Sequence, residues 1–105
     1  MAVDYGDAHT GLACCDRTQT LASPIGVIDE RNFQTCVEKV AAAAVEYEVG
    51  EVRTGVTNDE QLIRLVNAIK QCRHVVLKGI FSHEGHTYKA DSIEDCCSKA
   101  KAAYE

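Results

Sequence analysis

Residues 46–56, EYEVGEVRTGV, decide the fold because they join a helix-forming segment to a strand-forming one. Before this stretch, apolar residues with helical spacing share one face: Phe33, Val37, Val40, Ala41 and Ala44. Asp29 is the predicted cap of that helix. Glu51 to Val56 are typical of a strand, so the junction predicts a helix that returns the chain to a sheet.

The segment ahead of this helix predicts three short strands. They cover Ala2 to Tyr5, Thr10 to Cys15 and Thr20 to Ile28, with turns at Gly6-Asp7-Ala8 and Asp16 to Gln19. Strands joined by such short connections are antiparallel neighbours. The chain therefore opens with a predicted meander.

Two further helices and a strand are predicted after the junction. Thr57-Asn58-Asp59-Glu60 has capping-box spacing and precedes an apolar stripe made of Leu62, Leu65, Val66 and Ile69. His74 to Phe81 is rich in consecutive apolar residues, as buried parallel strands are. Asp91-Ser92 caps a last helix with a shared apolar side made of Ile93, Cys96, Cys97, Ala100 and Tyr104.

The resulting order, βββαβαβα, predicts an α/β fold in a single domain over residues 1–105. The length of 105 residues, of which 46% are hydrophobic, suits one packed core. This order is that of ribonuclease-H-like domains, which implies three layers: a mixed five-stranded sheet with helices on its faces.

Charge and hydropathy restrict the function. Sixteen acidic and eleven basic residues give a formal charge of −5, which opposes non-specific binding to nucleic acid. The first residues, MAVDYGDAHTG, lack the apolar region of a signal peptide, and no apolar run approaches the roughly 20 residues of a membrane span. A cytoplasmic protein without membrane contact is the expectation.

The six cysteines, at 14, 15, 36, 72, 96 and 97, contain no C-x-x-C pair and predict no zinc site. A core of this size does not require disulfides. They are expected to be small buried hydrophobic residues in a reducing compartment.

The N-terminal half resembles the YqgF family of Holliday-junction resolvases and pre-ribosomal-RNA nucleases. The matching positions are Asp4-Tyr5-Gly6, Gly11, Cys15-Asp16 and Ala22-Ser23-Pro24-Ile25, and the resemblance covers residues 1–50. It implies that Asp4 is the first metal-binding carboxylate of a nuclease. The family's Gly-Leu-Pro and Asp-Glu-Arg motifs do not recur after the junction, and its third acidic position has no counterpart.

The C-terminal half resembles the pyridoxal-phosphate barrel of the alanine-racemase and D-threonine-aldolase superfamily. The pattern falls within residues 49–92, and residues 51–105 are therefore interpreted as the barrel-like segment of the domain. The matching residues are Gly50, Arg53, Gly55, Val56, Gly79, Ile80, His83, Gly85, His86 and Tyr88. In that superfamily Arg53 and His83 correspond to cofactor-binding positions, but the Schiff-base lysine comes from a strand absent here, so pyridoxal phosphate is not expected.

The two resemblances favour a recombinant or designed chimera without catalytic activity, in which Asp4, Arg53 and His83 are vestigial. Whether such a chain is natural or engineered stays open. One alternative is a YqgF-type nuclease acting on structured nucleic acid or precursor ribosomal RNA with Mg²⁺ or Mn²⁺, in which Glu84 joins Asp4 as a catalytic carboxylate. Another is a homodimeric binding module that pairs through an exposed edge strand, Thr20 to Ile28.

The loop His83-Glu84-Gly85-His86 also suggests adventitious zinc or nickel binding through His83 and His86, so the candidate metal ligands are Asp4, His83 and His86. Its histidines are spaced i, i+3 rather than the i, i+4 of H-E-x-x-H, which places two ligands on one helix face. The expectation is that no cofactor is bound, with Mg²⁺ or Mn²⁺ as the alternative.

Overall fold

The computed structural model describes residues 1–81 and 88–102. The strands are β1 (Ala2–Asp4), β2 (His9–Cys15), β3 (Ala22–Asp29) and β4 (Arg53–Thr54). The helices are α1 (Phe33–Glu46), α2 (Asp59–Lys70) and α3 (Ile93–Ala102). The α/β class, the meander and all three helices are as predicted from the sequence.

The four strands form one mixed sheet in the order β3-β2-β1-β4. β1 pairs antiparallel with β2, and β2 pairs antiparallel with β3. β4 is parallel to β1, with Ala2 opposite Arg53 and Val3 opposite Thr54. The chain thus leaves the meander through α1 and returns beside its own first strand.

Backbone hydrogen bonds tie the 46–56 junction to the elements on either side. α1 ends in a turn with Glu48 in the left-handed region, at φ 53°, and the Val49 amide donates to the Ala44 carbonyl at 2.9 Å. The Met1 amino group then donates to the Glu51 carbonyl at 2.7 Å. The Arg53 amide donates to the Met1 carbonyl at 2.9 Å, so the junction closes one continuous β-α-β unit.

The cap of α1 differs from the predicted Asp29. The side chain of Asn32 accepts a hydrogen bond from the Thr35 amide at 3.0 Å. Asp29 does not cap the helix because it is the last residue of β3, where it pairs with His9. α2 is capped within the predicted segment, by the Asn58 side chain accepting from the Gln61 amide at 2.9 Å.

The two faces of the sheet differ in burial. Thr10 and Leu12 are buried on the face towards α1, where the Thr10 hydroxyl lies 3.4 Å from the Cys36 thiol. On the opposite face, Asp4, His9 and Val27 are exposed. The predicted covering of both faces by helices is therefore not found in the part of the chain that the structure describes.

The predicted fifth strand, His74 to Phe81, is absent from the sheet formed by the described residues. Val76 is 77% exposed and Ile80 is 70% exposed, so this segment does not occupy a buried central position. The neighbouring edge is β4, whose two residues offer few backbone groups for a further strand to pair with.

The last helix forms at the predicted place but does not bury its apolar side. α3 has no buried residue, and Ile93 is exposed, while Tyr104 lies outside the described residues. The predicted stripe of α2 is half-buried, and the buried residue of this helix is Ala68, whose carbonyl accepts from the Gln34 side-chain amide of α1. Over residues 1–81 and 88–102, no helix has the length and apolar character needed to cross a membrane.

Candidate functional site

Asp4 is the last residue of β1 and lies on the exposed face of the sheet. It stands directly opposite Gly11 of β2. Because β4 runs parallel to β1, the loop that follows Thr54 begins at the same edge of the sheet. Within residues 1–81 and 88–102, the Asp4 carboxylate has no hydrogen-bond or ion-pair partner, so its oxygens are open to a ligand from solvent.

The turn after Asp4 is shaped by Gly6 and Thr10. A Cβ on Gly6 would lie 2.4 Å from the His9 carbonyl oxygen, so only glycine fits there without a shift of backbone. The fully buried Thr10 hydroxyl accepts from the Gly6 amide at 3.5 Å and donates to the Gly6 carbonyl at 3.4 Å. The glycine after Asp4-Tyr5 is therefore a steric requirement of the turn that follows Asp4.

A histidine–aspartate pair flanks Asp4 on the same face of the sheet. His9 begins β2 and Asp29 ends β3, and the two residues are paired in register. Nδ1 of His9 lies 2.5 Å from Oδ1 of Asp29. Because an ionised carboxylate only accepts hydrogen bonds, Nδ1 carries the proton and Nε2 faces solvent as the second functional nitrogen.

The carboxylate next to this pair is already engaged. Glu30 accepts hydrogen bonds from the Lys39 ammonium at 2.9 Å and from the Asn32 amide at 3.1 Å. The bond from Lys39, followed by that from the Asn32 amide, lowers the pKa of the Glu30 carboxyl. Glu30 is thus directed to the helix α1 side and leaves Asp29 as the partner of His9.

A cation–aromatic stack lies next to Asp4 on the helix side of the sheet. The Tyr5 ring meets the Phe33 ring edge-on, with centroids 5.4 Å apart. The Arg64 guanidinium of α2 lies 4.2 Å from the centroid of Phe33. This stack joins the start of α1 and the middle of α2 to the end of β1, on the opposite side of the sheet from the Asp4 carboxylate.

Arg53, a predicted cofactor-binding residue, has other contacts in this structure. Its guanidinium lies 4.4 Å from the centroid of the Phe81 ring, and its Nε lies 3.8 Å from a carboxylate oxygen of Glu51. Both partners, Phe81 and Glu51, are residues of this chain and not groups of a cofactor. They give no support to a pyridoxal-phosphate position at Arg53.

The remaining predicted ligands, His83, Glu84 and His86, lie outside the described residues. Among residues 1–81 and 88–102, no group of three or more His, Cys, Asp or Glu side chains could hold a metal ion. Mg²⁺ prefers six oxygen ligands and binds weakly to one carboxylate. The described residues therefore supply one ligand and do not by themselves fit a complete metal centre.

The cysteines are free thiols and only partly follow the expected burial. Cys36 is buried in the core, whereas Cys15 and Cys97 are exposed and the others are half-buried. Burial raises the pKa of the Cys72 thiol, and the nearby Glu38 carboxylate raises it further. Cys15 is exposed because it ends β2, beyond the part of the strand that α1 covers.

Comparison with known proteins shows the family to which this chain belongs. The family model "RuvX: Holliday junction resolvase" matches residues 1–76, and the chain belongs to this family, also called YqgF. The chain is 36% identical over 55 residues to "Putative pre-16S rRNA nuclease" of Streptomyces coelicolor, an alignment covering 52% of this chain and 33% of the relative. The aligned part is thus about a third of that curated relative. No solved structure gives a significant match.

The match to residue 76 overturns the chimera interpretation. It runs through the 46–56 junction, α2 and Arg53 without interruption, so these parts belong to the same family as the meander. The comparisons support no alanine-racemase part. The apparent change of pattern at the junction is a helix end and a short parallel strand, which many α/β proteins share.

The sequence interpretation identified Asp4 but missed the groups around it. His9 was not singled out and Asp29 was interpreted as a helix cap, because the predicted strands stopped one residue short of each, at Thr10 and Ile28. The Phe33–Arg64 contact joins α1 to α2 and leaves no local signal in the sequence.

Proposed function

We propose that this chain is a metal-dependent nuclease of the RuvX family that cleaves structured nucleic acid or precursor ribosomal RNA, with Asp4 as a metal-binding carboxylate. The observation that carries this proposal is the position of Asp4. It is exposed at the carboxyl end of β1, without a partner among the described residues, and it is followed by a turn whose shape Gly6 and Thr10 determine.

The metal-binding set is proposed to include residues beyond the described part of the chain. A divalent ion such as Mg²⁺ or Mn²⁺ supplies such nucleases with a polarised phosphate and an activated water. Glu84 is the proposed second carboxylate, and it follows a segment that in a ribonuclease-H-like sheet would form a fifth strand. The contribution of this chain that the structure supports is a solvent-facing carboxylate held at a fixed strand end.

Binding of nucleic acid by a chain with net charge −5 requires local cations and an open surface. Arg64 is one exposed cation, held by the Phe33 ring on the helix side of the sheet. Few phosphates are neutralised in this way. We therefore propose that recognition depends on the shape of a junction or folded RNA more than on charge.

The proposal is tested by cleavage of two substrates, a four-way DNA junction and a precursor 16S ribosomal RNA fragment, with Mg²⁺ or Mn²⁺. Wild-type chain is compared with Asp4→Asn and with Asp7→Asn, which makes the same charge change at an exposed position in the adjacent turn. Cleavage by wild-type and Asp7→Asn with loss in Asp4→Asn is the expected result. Cleavage that persists in Asp4→Asn contradicts the proposal.

Dimerisation through the β3 edge stays a second proposal. β3 is at the edge of the sheet, and Leu21 and Val27 are exposed there. Pro24 lacks an amide hydrogen and a register shift occurs at Leu12/Ala13, and both features hinder pairing with another strand. Light scattering that shows only monomer would rule this out.

A further inference from the structure

We infer that His9, oriented by Asp29, is the general acid that protonates the departing oxygen during phosphodiester cleavage; this inference rests on the proposed nuclease function. Three observations support it: the placement of His9 relative to Asp4, the open surface over Gly11, and the hydrogen bond that fixes the imidazole.

The placement follows from the strand register. Asp4 is opposite Gly11, and His9 precedes Gly11 by two residues on the same strand. Residues opposite each other, and residues two apart on a strand, project from the same face of a sheet. Asp4 and His9 are therefore diagonal neighbours, and residues in this relation in an antiparallel pair are usually about 7–8 Å apart.

The surface between these two groups is open because Gly11 has no side chain. A Cβ at Gly11 would lie 3.8 Å from the Cβ of Asp4, so any larger residue would project beside the carboxylate. A phosphate placed over Gly11 is next to both Asp4, across the strand pair, and His9, along β2.

The hydrogen bond to Asp29 orients His9 for proton transfer from a protonated Nε2. With Nδ1–H donated to the carboxylate at 2.5 Å, the imidazole is held in one orientation and Nε2 is directed away from the pair. Asp29 is thus a positioning residue that acts through His9.

The proposed step is balanced as a hydrolysis. A water oxygen forms a bond to phosphorus while the bond from phosphorus to the departing oxygen breaks. The electron pair of the broken bond stays on the departing oxygen, which takes the proton from Nε2 of His9. The proton released by the attacking water passes to solvent, and the neutral imidazole regains a proton from solvent before the next turnover.

The test compares an ordinary phosphodiester substrate with a p-nitrophenyl phosphodiester, whose departing oxygen needs no proton. Wild-type, His9→Gln and the matched control His74→Gln, at an exposed position outside the site, are measured on both. His9→Gln is expected to slow cleavage of the ordinary diester about 100-fold or more, the usual contribution of a general acid, and to leave cleavage of the p-nitrophenyl diester nearly unchanged.

The outcomes separate the two claims. Equal losses on both diesters, or no loss on either, would overturn the acid role while the nuclease function stands. No cleavage of either diester by the wild-type chain would overturn the nuclease function and the acid role with it. For Asp29→Asn, nitrogen chemical shifts of the His9 ring are expected to show mixed tautomers; an unchanged ring would overturn the positioning role of Asp29.

Discussion

Asp4 and Gly11 lie directly opposite each other in the β1–β2 pair, so the carboxylate projects over a position that has no side chain. This pairing connects the family motif to the geometry of the site. The strand pairing holds the two residues in register, and the proposed nuclease function places a phosphate on the surface that the glycine leaves free.

A substitution of Gly11 is expected to affect cleavage without lowering the stability of the fold. Gly11→Val is expected to fold at least as well as wild type, because a Cβ there makes an ordinary contact and valine favours strands. Cleavage is expected to fall about tenfold or more because the branched side chain occupies the phosphate position. Urea denaturation and cleavage assays measure the two effects, with Ala22→Val at the far end of β3 as control. Full activity in Gly11→Val would contradict the assignment of this surface.

The turn glycine behaves in the opposite way. Gly6→Ala is expected to lower the free energy of unfolding by about 1–3 kcal/mol, the usual cost of overpacking, because the new Cβ would clash with the His9 carbonyl. Gly50→Ala is the matched control, since a Cβ at Gly50 meets nothing within 4 Å. Equal stability of the two variants in urea denaturation would show that the turn is not shaped as described.

The contact between Phe33 and Arg64 is expected to couple α1 to α2. A double-mutant cycle with Phe33→Leu and Arg64→Gln should give a coupling energy of about 0.5–1 kcal/mol, typical of an exposed cation–π pair. Thermal or urea unfolding of the four proteins supplies the measurement. A coupling energy of zero would mean that the ring and the guanidinium do not interact in solution.

The β2–β3 turn should weaken in acid. The Thr20 amide, with further help from the Thr18 hydroxyl, lowers the pKa of the Asp16 carboxyl below its ordinary value. Because the pKa of Asp16 is lowered, its ionised carboxylate stabilises the turn at pH values above the ordinary aspartate pKa of about 4. This stabilisation is lost as the pH falls through the folded-state pKa. The Asp16 carboxyl-carbon and Thr20 amide shifts, followed against pH by NMR, should titrate together below that value. Titration at or above the ordinary aspartate pKa would contradict the hydrogen bond from the Thr20 amide to Asp16.

Local patterns in the sequence predicted most elements of the fold. The meander, the helical stripe of α2 and its Asn58 cap depend on residues close together in the chain, so their patterns are visible without a structure. The predicted strand from His74 to Phe81 failed because a run of apolar residues shows strand tendency but cannot show whether a sheet edge is available to pair with it.

The residues of the candidate site also differ in whether local sequence or pairing between distant residues reveals them. Asp4 was identified because it lies within a few residues of Gly6 and Gly11 in one sequence motif. The His9–Asp29 pair needs the register of β2 against β3, which sequence alone does not supply. The chimera interpretation was wrong because a short strand pattern around Arg53 was given more weight than the continuity of the β-α-β unit.

The central claim is that the edge of the sheet at Asp4 holds the divalent ion of a nuclease, and Mn²⁺ titration followed by amide NMR tests it most directly. Paramagnetic broadening is predicted to be strongest at Asp4, Tyr5 and the loop after Thr54, and to disappear from them in Asp4→Asn but not in Asp7→Asn. Broadening at this edge that is unchanged in Asp4→Asn, or that is absent while other carboxylates respond, would contradict the account.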